Sequence, residues 1–497
     1  MARVIILTDI QRPQSMWGRS AGPIRIATEL RQAGYSTQII DFLMDFVISD
    51  FEVLLKIIAS YIDSETLVIG ISTTFMQQRY SKINGNAFGF ISKFHLKAIS
   101  DVAKSLNPKI KIVLGGSQVD HLRNKNIPYV DAMIIGYADH SFLEYLKYIE
   151  GKNPFFQFKT NTSNNALIID HDPKAEKFEF TKSQLLWQPE DHVRQKEALP
   201  LEVGRGCIFK CSYCYFPLTG KTKLDHIKES DVLYEELMRN YELCGTTSYT
   251  FSDDTFNDSI EKMELLHKTF QRLPFKLKFV AYLRLDLIHA KPHTADLLLD
   301  IGLHSAHFGI ETFNQKTGAA IGKGLHPNKV KDTLDMVKDK WGSNITTIGS
   351  FIMGLPYETR ETLNDTIEYL SDKNKCPLDA LVMFPLGLSP FTDKSFISKF
   401  QENYEKYGYH FDANQYWYNS EFHELEVTDL AEVVSNDWHR SGRIKFCCFD
   451  IPMMENLGYT FEQLSTLSKL SFPRSEINAR RVQLFEEYKS KLLSAPK

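Results

Sequence analysis

Three cysteines near the middle of the chain limit strongly what this region can form. Cys207, Cys211 and Cys214 are spaced C-x3-C-x2-C and directly follow the hinge Gly204-Arg205-Gly206. Thiolates this close together on a glycine-hinged loop can converge on one small inorganic centre. Zinc sites and iron–sulfur clusters usually have four protein ligands, so a set of three leaves one position for a substrate. The alternatives are three unlinked core cysteines, or a zinc site that a distant histidine completes.

The same stretch resembles the signature of the radical S-adenosylmethionine superfamily, in which C-x3-C-x-aromatic-C follows the first strand of a barrel. Tyr213 is the aromatic residue here, and residues 199–203 form the apolar run. The resemblance implies that the cysteines hold three irons of a [4Fe–4S] cluster and that S-adenosylmethionine chelates the fourth. It also implies that one electron splits the sulfonium and releases a 5′-deoxyadenosyl radical.

Length, composition and charge indicate a globular protein of more than one domain. The chain has 497 residues, which is too long for one ordinary domain. It is 43% hydrophobic and 24% charged, which suffices for sizeable cores. With a net charge of −4, the chain has neither the excess of basic residues that is typical of nucleic-acid binding nor a polybasic patch for a membrane. Neither is therefore an expected partner, and a small molecule or a peptide is the expected substrate.

The cysteines and the first residues indicate a reducing compartment. The chain has seven cysteines, and its opening apolar run is too short for a signal peptide. No stretch is long and apolar enough to be read as a membrane span. We therefore expect a cytoplasmic protein whose thiols stay free for metal. The remaining cysteines, at 244, 376, 447 and 448, lack C-x2-C spacing and predict no second cluster.

Residues 1–150 alternate short apolar strands with helical patterns, which predicts an α/β domain with a doubly wound parallel sheet. The predicted strands are 3–8, 37–40, 67–72, 111–114 and 132–135. The predicted helices are 23–33, 43–61, 94–105 and 140–149. Ligands of such sheets bind at the carboxyl ends of the strands.

This region resembles the cobalamin-binding domain that precedes many radical S-adenosylmethionine enzymes. The resemblance is carried by GIST (70–73), LGG (114–116) and IIGYAD (134–139), and it implies that these loops contact the corrin and the nucleotide tail. The cobalt-ligating motif D-x-H-x-x-G is altered, because Gln11 and Gln14 replace its histidine and its final glycine. An amide is a poor cobalt ligand beside imidazole. Two alternatives stay open: cobalamin without a protein axial ligand, or a vestigial Rossmann-like domain that shapes the substrate cleft or binds part of the substrate.

The rest of the chain predicts a connector, a barrel and a cap. Residues 151–197 are polar, with a small hairpin, and form the connector. Residues 198–400 contain six strand–helix units, and the resemblance implies a partial (β/α)6 barrel whose open side admits a large substrate. Residues 401–497 lose the alternation and predict a mostly helical C-terminal cap over the barrel, with helices near 429–439 and 475–493.

Polar residues follow several predicted barrel strands, where barrel enzymes build their sites. The resemblance implies that a carboxylate after the second strand holds the methionyl ammonium, with Asp254 preferred over Asp253. It implies that Arg284 pairs with the methionyl carboxylate, since a guanidinium matches that geometry. It implies that Glu311 accepts hydrogen bonds from the ribose hydroxyls. Each residue could instead cap a helix or form a surface ion pair.

Two further features complete the predicted cofactor site. The stretch SFIMGLPYET resembles the motif that packs on adenine, which implies backbone contacts at Ile352 and Gly354. Tyr213 of the cysteine motif is the remaining cofactor-binding candidate. No side chain is predicted to act as a catalytic acid, base or nucleophile.

The sequence thus predicts a radical S-adenosylmethionine enzyme that abstracts hydrogen from an unactivated C–H bond, with a reductant such as flavodoxin or ferredoxin. With cobalamin we expect methyl transfer, and without it a rearrangement, cyclisation or oxidation. The alternative function is that of a non-catalytic metal-binding or interaction protein with a degenerate barrel.

Overall fold

The protein forms two compact units. The first comprises Met1–Pro200, Arg239–Gly245 and Arg474–Lys497, and the second comprises Leu201–Met238 and Thr246–Pro473. The computed structural model describes residues 3–10, 16–73, 79–80, 87–88, 92–116, 119–123, 126–161, 164–170, 179–214, 226–390, 398–440, 449–466 and 473–494.

Nine short strands belong to the first unit. They are β1 (Val4–Leu7), β2 (Thr37–Ile40), β3 (Val68–Ser72), β4 (Arg79–Tyr80), β5 (Ala87–Phe88), β6 (Lys111–Gly115), β7 (Ala132–Ile135), β8 (Lys159–Thr160) and β9 (Leu167–Asp170). Seven of them form a sheet in the order β2-β1-β3-β6-β7-β9-β8, while β4 and β5 pair with each other. All residues of β1, β2 and β7 are buried, as expected for strands covered on both faces.

The predicted doubly wound topology is confirmed. All neighbours in the large sheet run parallel except β8, which pairs antiparallel with β9 and forms the hairpin expected in the connector. The chain adds β2 on one side of β1 and β3 on the other. The strand order therefore reverses between β1 and β3, the kind of position where ligands of such sheets bind.

Five helices of the first unit flank this sheet. They are α1 (Ala21–Gln32), α2 (Leu43–Ser49), α3 (Phe51–Ser60), α4 (Lys93–Leu106) and α5 (Ser141–Ile149). Helix α1 packs on α5, and α3 packs on α4. The single helix predicted over 43–61 is interrupted at Asp50, whose backbone has φ −143° and ψ 41° and is not helical.

The second unit contains the predicted six-stranded partial barrel. Its strands are β10 (Leu199–Leu201), β11 (Ser248–Phe251), β12 (Lys278–Leu283), β13 (Leu303–Glu311), β14 (Thr346–Met353) and β15 (Ala380–Pro385). Its helices are α6 (Ser230–Cys244), α7 (Ile260–Phe270), α8 (Leu285–Ala290), α9 (Thr294–Asp300), α10 (Gln315–Ile321), α11 (Pro327–Trp341) and α12 (Arg360–Ser371). The first two residues of β10 and the end of α6 from Arg239 are assigned to the first unit. The strands are ordered as in the sequence, and those from β11 to β15 pair in parallel.

The C-terminal hundred residues are mostly helical, as predicted, but they divide between the units. They contain α13 (Lys399–Glu402), β16 (His410–Phe411), β17 (Trp417–Tyr418), α14 (Glu424–Arg440), α15 (Asp450–Glu455), α16 (Phe461–Thr466) and α17 (Arg474–Ser494). Helix α14 packs on β15, and α15 packs on β11 and β12. Helix α17 instead belongs to the first unit and packs on α3, which differs from a cap that lies wholly on the barrel.

Four 3-10 helices lie between these elements: Val119–Leu122, Phe180–Lys182, Pro189–Asp191 and Tyr404–Tyr407. None of the helices in the described part of the chain combines the length and the apolar character that crossing a membrane requires.

A buried guanidinium ties the connector to the first sheet. Arg19 donates from Nη1 to Asp41 just after β2, at 2.5 Å, and from Nε to Glu197, at 2.8 Å. Its remaining donors reach the backbone carbonyls of Asp191 and His192. Burial raises the pKa of Asp41 to about 6, although the charge of Arg19 opposes that shift. This network explains why residues 179–197 remain with the first unit.

Helix α17 is held to the first unit by buried polar contacts as well as by packing. Arg481 is paired with Asp45 of α2, and both side chains are only 7% exposed. Arg481 also donates to the carbonyl of Met16. The hydroxyl of Tyr488 accepts a hydrogen bond from the backbone N–H of Asp41. These partners are more than 400 residues away in the sequence, so no local pattern could have placed α17 here.

Replacing Arg481 with methionine should destabilise the first unit, because Asp45 would be left buried without its cation. We expect a loss of about 3 kcal/mol in the free energy of unfolding, measured by urea denaturation followed by circular dichroism. The adjacent Arg480 is the control, since it forms an exposed pair with Glu476 on the same helix. Arg480→Met should change the free energy by less than about 0.5 kcal/mol. Equal effects of the two substitutions would contradict this account of α17.

Candidate active site

The cysteine loop is fixed at both its start and its centre. At the start, Gly206 has φ +76°, a backbone conformation that favours glycine. At the centre, the N–H of Ser212 donates to the carbonyl of Ile321 and its hydroxyl donates to the carbonyl of Ala320, at the end of α10. The carbonyl of Ser212 accepts from the N–H of Phe400. Ser212, which lies between Cys211 and Tyr213, is therefore hydrogen-bonded both to the end of α10 and to Phe400 of α13.

The three thiols of the loop are partly accessible. Cys207, Cys211 and Cys214 are each of intermediate burial and form no disulfide. The sulfur of Cys207 lies 3.4 Å from the hydroxyl of Thr255, just after β11. Across the described residues, no three Cys, His, Asp or Glu side chains are arranged to hold a metal ion. The loop thus supplies three thiols of the right kind, while their convergence on one centre stays a prediction.

The two acids after β11 have different surroundings. Asp253 is 2% exposed and accepts from the N–H of Val203 at 2.9 Å and from the ammonium of Lys262 at 2.7 Å. Lys262 is itself completely buried and lies 3.7 Å from Asp258. Asp254 is only half-buried. Asp253 therefore orients the chain just ahead of the cysteine loop.

The guanidinium of Arg284, which follows β12, is engaged within the protein on all sides. Its Nε and Nη2 donate to the two carboxylate oxygens of Asp286, at 3.0 and 2.6 Å. Its Nη1 donates to the sulfur of Cys211 at 3.3 Å. The ring of Phe209 lies 3.9 Å from its central carbon. The guanidinium of Arg284, which was predicted to bind the methionyl carboxylate, thus already binds the carboxylate of Asp286.

Glu311 joins the end of β13 to the cysteine loop. Its carboxylate accepts a hydrogen bond from the hydroxyl of Tyr213 at 2.9 Å, and it lies 3.8 Å from the ammonium of Lys323. Glu311 has φ +70° next to an irregularity in the β13–β14 register, which turns its side chain back over Gly309. Burial raises the pKa of Tyr213 well above its usual value, and the neighbouring Glu311 carboxylate raises it further. Tyr213 therefore keeps its proton and remains a donor.

The turn after β14 is packed against the C-terminal hairpin. Gly354 has φ +82°, and a Cβ atom there would lie 2.5 Å from the indole of Trp417. Its N–H donates to Glu358 at 2.6 Å, and its carbonyl accepts from the hydroxyl of Tyr409 at 2.5 Å. Burial raises the pKa of Glu358 to about 7. The N–H and the carbonyl of Gly354 are thus both hydrogen-bonded within the protein. Ile352, on β14, is half-buried.

Several residues that shape the site were not predicted from the sequence. Lys323 donates to the carbonyl of Gly309 at 2.6 Å and approaches Glu311. Tyr409 and Trp417 come from an aromatic-rich stretch whose packing partner a sequence alone does not reveal. Asp286 lies only two residues after Arg284 in the sequence, but nothing in the sequence showed that the two side chains pair.

In the first unit, glycines follow the strands that carry the predicted ligand loops. Gly116 after β6 and Gly136 after β7 have φ of +96° and +86°. The hydroxyl and the N–H of Thr73 both contact the carbonyl of Gly115, which joins the ends of β3 and β6. Asp9 after β1 is buried and accepts from the backbone N–H groups of Ile10 and Met44. Residues 11–14, with the altered motif, lie outside the described residues.

Comparison with known proteins identifies the barrel. Residues 201–370 match the family model described as the Radical SAM superfamily. An uncharacterised methyltransferase of Pyrococcus horikoshii is 25% identical over 374 residues, which cover 72% of this chain and 74% of that protein. The bacteriochlorophyllide d C-8(2)-methyltransferase of Chlorobaculum tepidum is 22% identical over 278 residues, which cover 52% of this chain and 56% of that protein.

A solved structure has the same fold along the whole chain. It is the radical S-adenosylmethionine methyltransferase TsrM from Kitasatospora setae, with cobalamin and a [4Fe–4S] cluster bound. The TM-score is 0.63 at 16% sequence identity, and the match covers 100% of both chains. This likeness supports the fold of both units.

Replacing Gly354 with alanine should distort the turn after β14, because the new methyl group would meet Trp417 and the residue would keep a positive φ. We expect a loss of about 1 to 3 kcal/mol in the free energy of unfolding, measured by urea denaturation. Gly387 is the matched control, since nothing lies within 4 Å of its Cβ position. If Gly354→Ala is as stable as Gly387→Ala, the close approach of Trp417 is not a feature of the folded protein.

Proposed function

This chain carries a radical S-adenosylmethionine domain, and from that premise we propose that it cleaves S-adenosylmethionine reductively and functionalises a C–H bond of a small-molecule or peptide substrate. Cys207, Cys211 and Cys214 would hold a [4Fe–4S] cluster. When bound, the cluster supplies the electron that splits the sulfonium of S-adenosylmethionine. The observation that carries this proposal is the anchored loop of three partly accessible cysteines, which form no disulfide, within the matched domain.

The surroundings of the thiols suit such a cluster. Arg284 donates to the sulfur of Cys211, and the hydroxyl of Thr255 lies 3.4 Å from the sulfur of Cys207, where it would donate to a thiolate. Hydrogen bonds of this kind stabilise the negative charge on cysteine sulfurs that ligate iron. The backbone anchors at Ser212 hold the middle of the loop independently of any bound group.

S-adenosylmethionine would lie across the strand ends beside this loop. We place its ammonium at Asp254 rather than Asp253, because Asp253 is already paired with Lys262 and Val203. Its ribose hydroxyls would donate to Glu311, whose orientation the hydroxyl of Tyr213 fixes. Its adenine would pack against Ile352. Gly354 would shape the turn beside the adenine, since its own N–H and carbonyl are hydrogen-bonded to Glu358 and Tyr409.

Two large rings on the barrel sheet are partly accessible. Register places Tyr282 and Phe384 on the same face as Ile352. Tyr282 is 42% exposed and Phe384 is 48% exposed, although the ring of Phe449 lies 4.3 Å from the ring of Tyr282. The exposed parts of these rings would contact an organic substrate. The electron would come from a small reductant such as flavodoxin or ferredoxin.

Methyl transfer with cobalamin is the reaction that we propose. The relatives include methyltransferases, and TsrM was solved with cobalamin bound. In this chain the first sheet has its reversal point between β1 and β3, and glycines of positive φ follow β6 and β7. Such an edge lets a flat ring approach the backbone closely. Because Gln11 stands where the family has histidine, the cobalamin would bind without a protein axial ligand.

Anaerobic reconstitution should load about four iron and four sulfide ions per chain. With dithionite, the loaded protein should convert S-adenosylmethionine into 5′-deoxyadenosine, measured by chromatography. Cys211→Ala should abolish this product, and Cys244→Ala, at a buried cysteine outside the loop, should not. A single zinc ion per chain would support the non-catalytic alternative instead. Full turnover by Cys211→Ala would contradict the assignment of the cysteine loop as the cluster site.

Protein produced with cobalamin available should retain about one corrin per chain, seen in its absorption spectrum. The spectrum should be that of a cobalamin to which no histidine of the protein is bound, because no histidine stands at the family position. A protein that shows no corrin bands but still makes 5′-deoxyadenosine would leave the radical chemistry in place and exclude cobalamin-dependent methyl transfer.

A further inference from the structure

Arg284 donates a hydrogen bond directly to a sulfur of the cysteine loop. Its Nη1 lies 3.3 Å from Cys211, while Nε and Nη2 are held in a two-point contact by Asp286. The ring of Phe209, two residues before Cys211, covers the guanidinium face at 3.9 Å. Arg284 itself is 6% exposed. Its guanidinium is therefore fixed in one orientation, with one N–H group aimed at the thiol.

The backbone beneath the side chain is also fixed. The N–H of Arg284 donates to the side-chain carbonyl of Asn257, and the carbonyl of Arg284 accepts from the amide of the same residue. Asn257 is buried. These paired contacts set the end of β12 relative to the loop after β11. The approach of Arg284 to Cys211 therefore does not depend on a flexible side chain alone.

We propose that Arg284 is a positioning residue that sets the reduction potential of the cluster through Cys211, and that it is not the group that binds the methionyl carboxylate. The inference rests on the proposed function, because it requires that Cys211 ligates the cluster. A carboxylate of the cofactor would have to displace Asp286, which is already bound at two points. The N–H donor toward sulfur, by contrast, needs no rearrangement.

The physical consequence has a definite sign. A cluster gains one negative charge when it is reduced. A nearby positive charge and a hydrogen bond to a ligand sulfur stabilise that added electron and raise the reduction potential. Removing them should make the cluster harder to reduce, even when it is still assembled. This effect is a property of the cluster and can be measured without substrate turnover.

The test is a redox titration of the reconstituted protein, followed by electron paramagnetic resonance of the reduced cluster. Arg284→Gln should shift the midpoint to lower potential, and Arg284→Lys, which keeps the charge but not the planar fork, should shift it less in the same direction. Arg272 provides the matched control, since it also pairs with an aspartate, Asp231, and lies 4.4 Å from a ring, Tyr234. Arg272→Gln should leave the midpoint at the wild-type value.

Binding of S-adenosylmethionine to the oxidised variants separates the two roles of Arg284. We expect Arg284→Gln to retain wild-type affinity within about threefold. The inference would be overturned if Arg284→Gln kept the wild-type midpoint potential but bound S-adenosylmethionine about tenfold or more weakly. Such a loss is expected when a charged partner of the ligand is removed. If Arg284→Gln does not assemble the cluster, the shift of Arg284→Lys decides the question. A wild-type chain that takes up no iron would refute the proposed function itself, which is a different outcome.

Discussion

The candidate site depends on how the cysteine loop is tied to the ends of three neighbouring strands. Asp253 after β11 holds the backbone before the loop, Arg284 after β12 reaches Cys211, and Glu311 at the end of β13 accepts from Tyr213. Each contact joins the loop to a different strand. Because parallel strands end at the same edge of a sheet, side chains distant in sequence meet at one loop.

Much of the fold could be predicted because its strands are short, apolar and bounded by glycine or polar residues. Strand β2 has the predicted bounds of Thr37–Ile40, and the six barrel strands appear in the predicted order. The break between α2 and α3 was missed, since both halves carry the same amphipathic pattern across Asp50. Helix α17 was placed on the barrel because local periodicity cannot reveal partners such as Asp45.

The site residues show a second limit of sequence reasoning. A motif marks which residues stand at a strand end, but it does not show which of them already have partners in the protein. Asp253 is paired with Lys262, and the guanidinium of Arg284 binds Asp286, and the motifs revealed neither pairing. Glu311 and Asp254 were assigned by the same reasoning, and their ligand roles remain proposals.

The central claim is that three sulfurs leave one iron free for S-adenosylmethionine. The most direct measurement is electron–nuclear double resonance on the reduced, reconstituted protein with 15N-labelled S-adenosylmethionine bound. The account predicts a nitrogen coupling strong enough to require direct coordination of the methionyl amine to the cluster. A fully assembled cluster that shows no such coupling, although S-adenosylmethionine is bound, would contradict it.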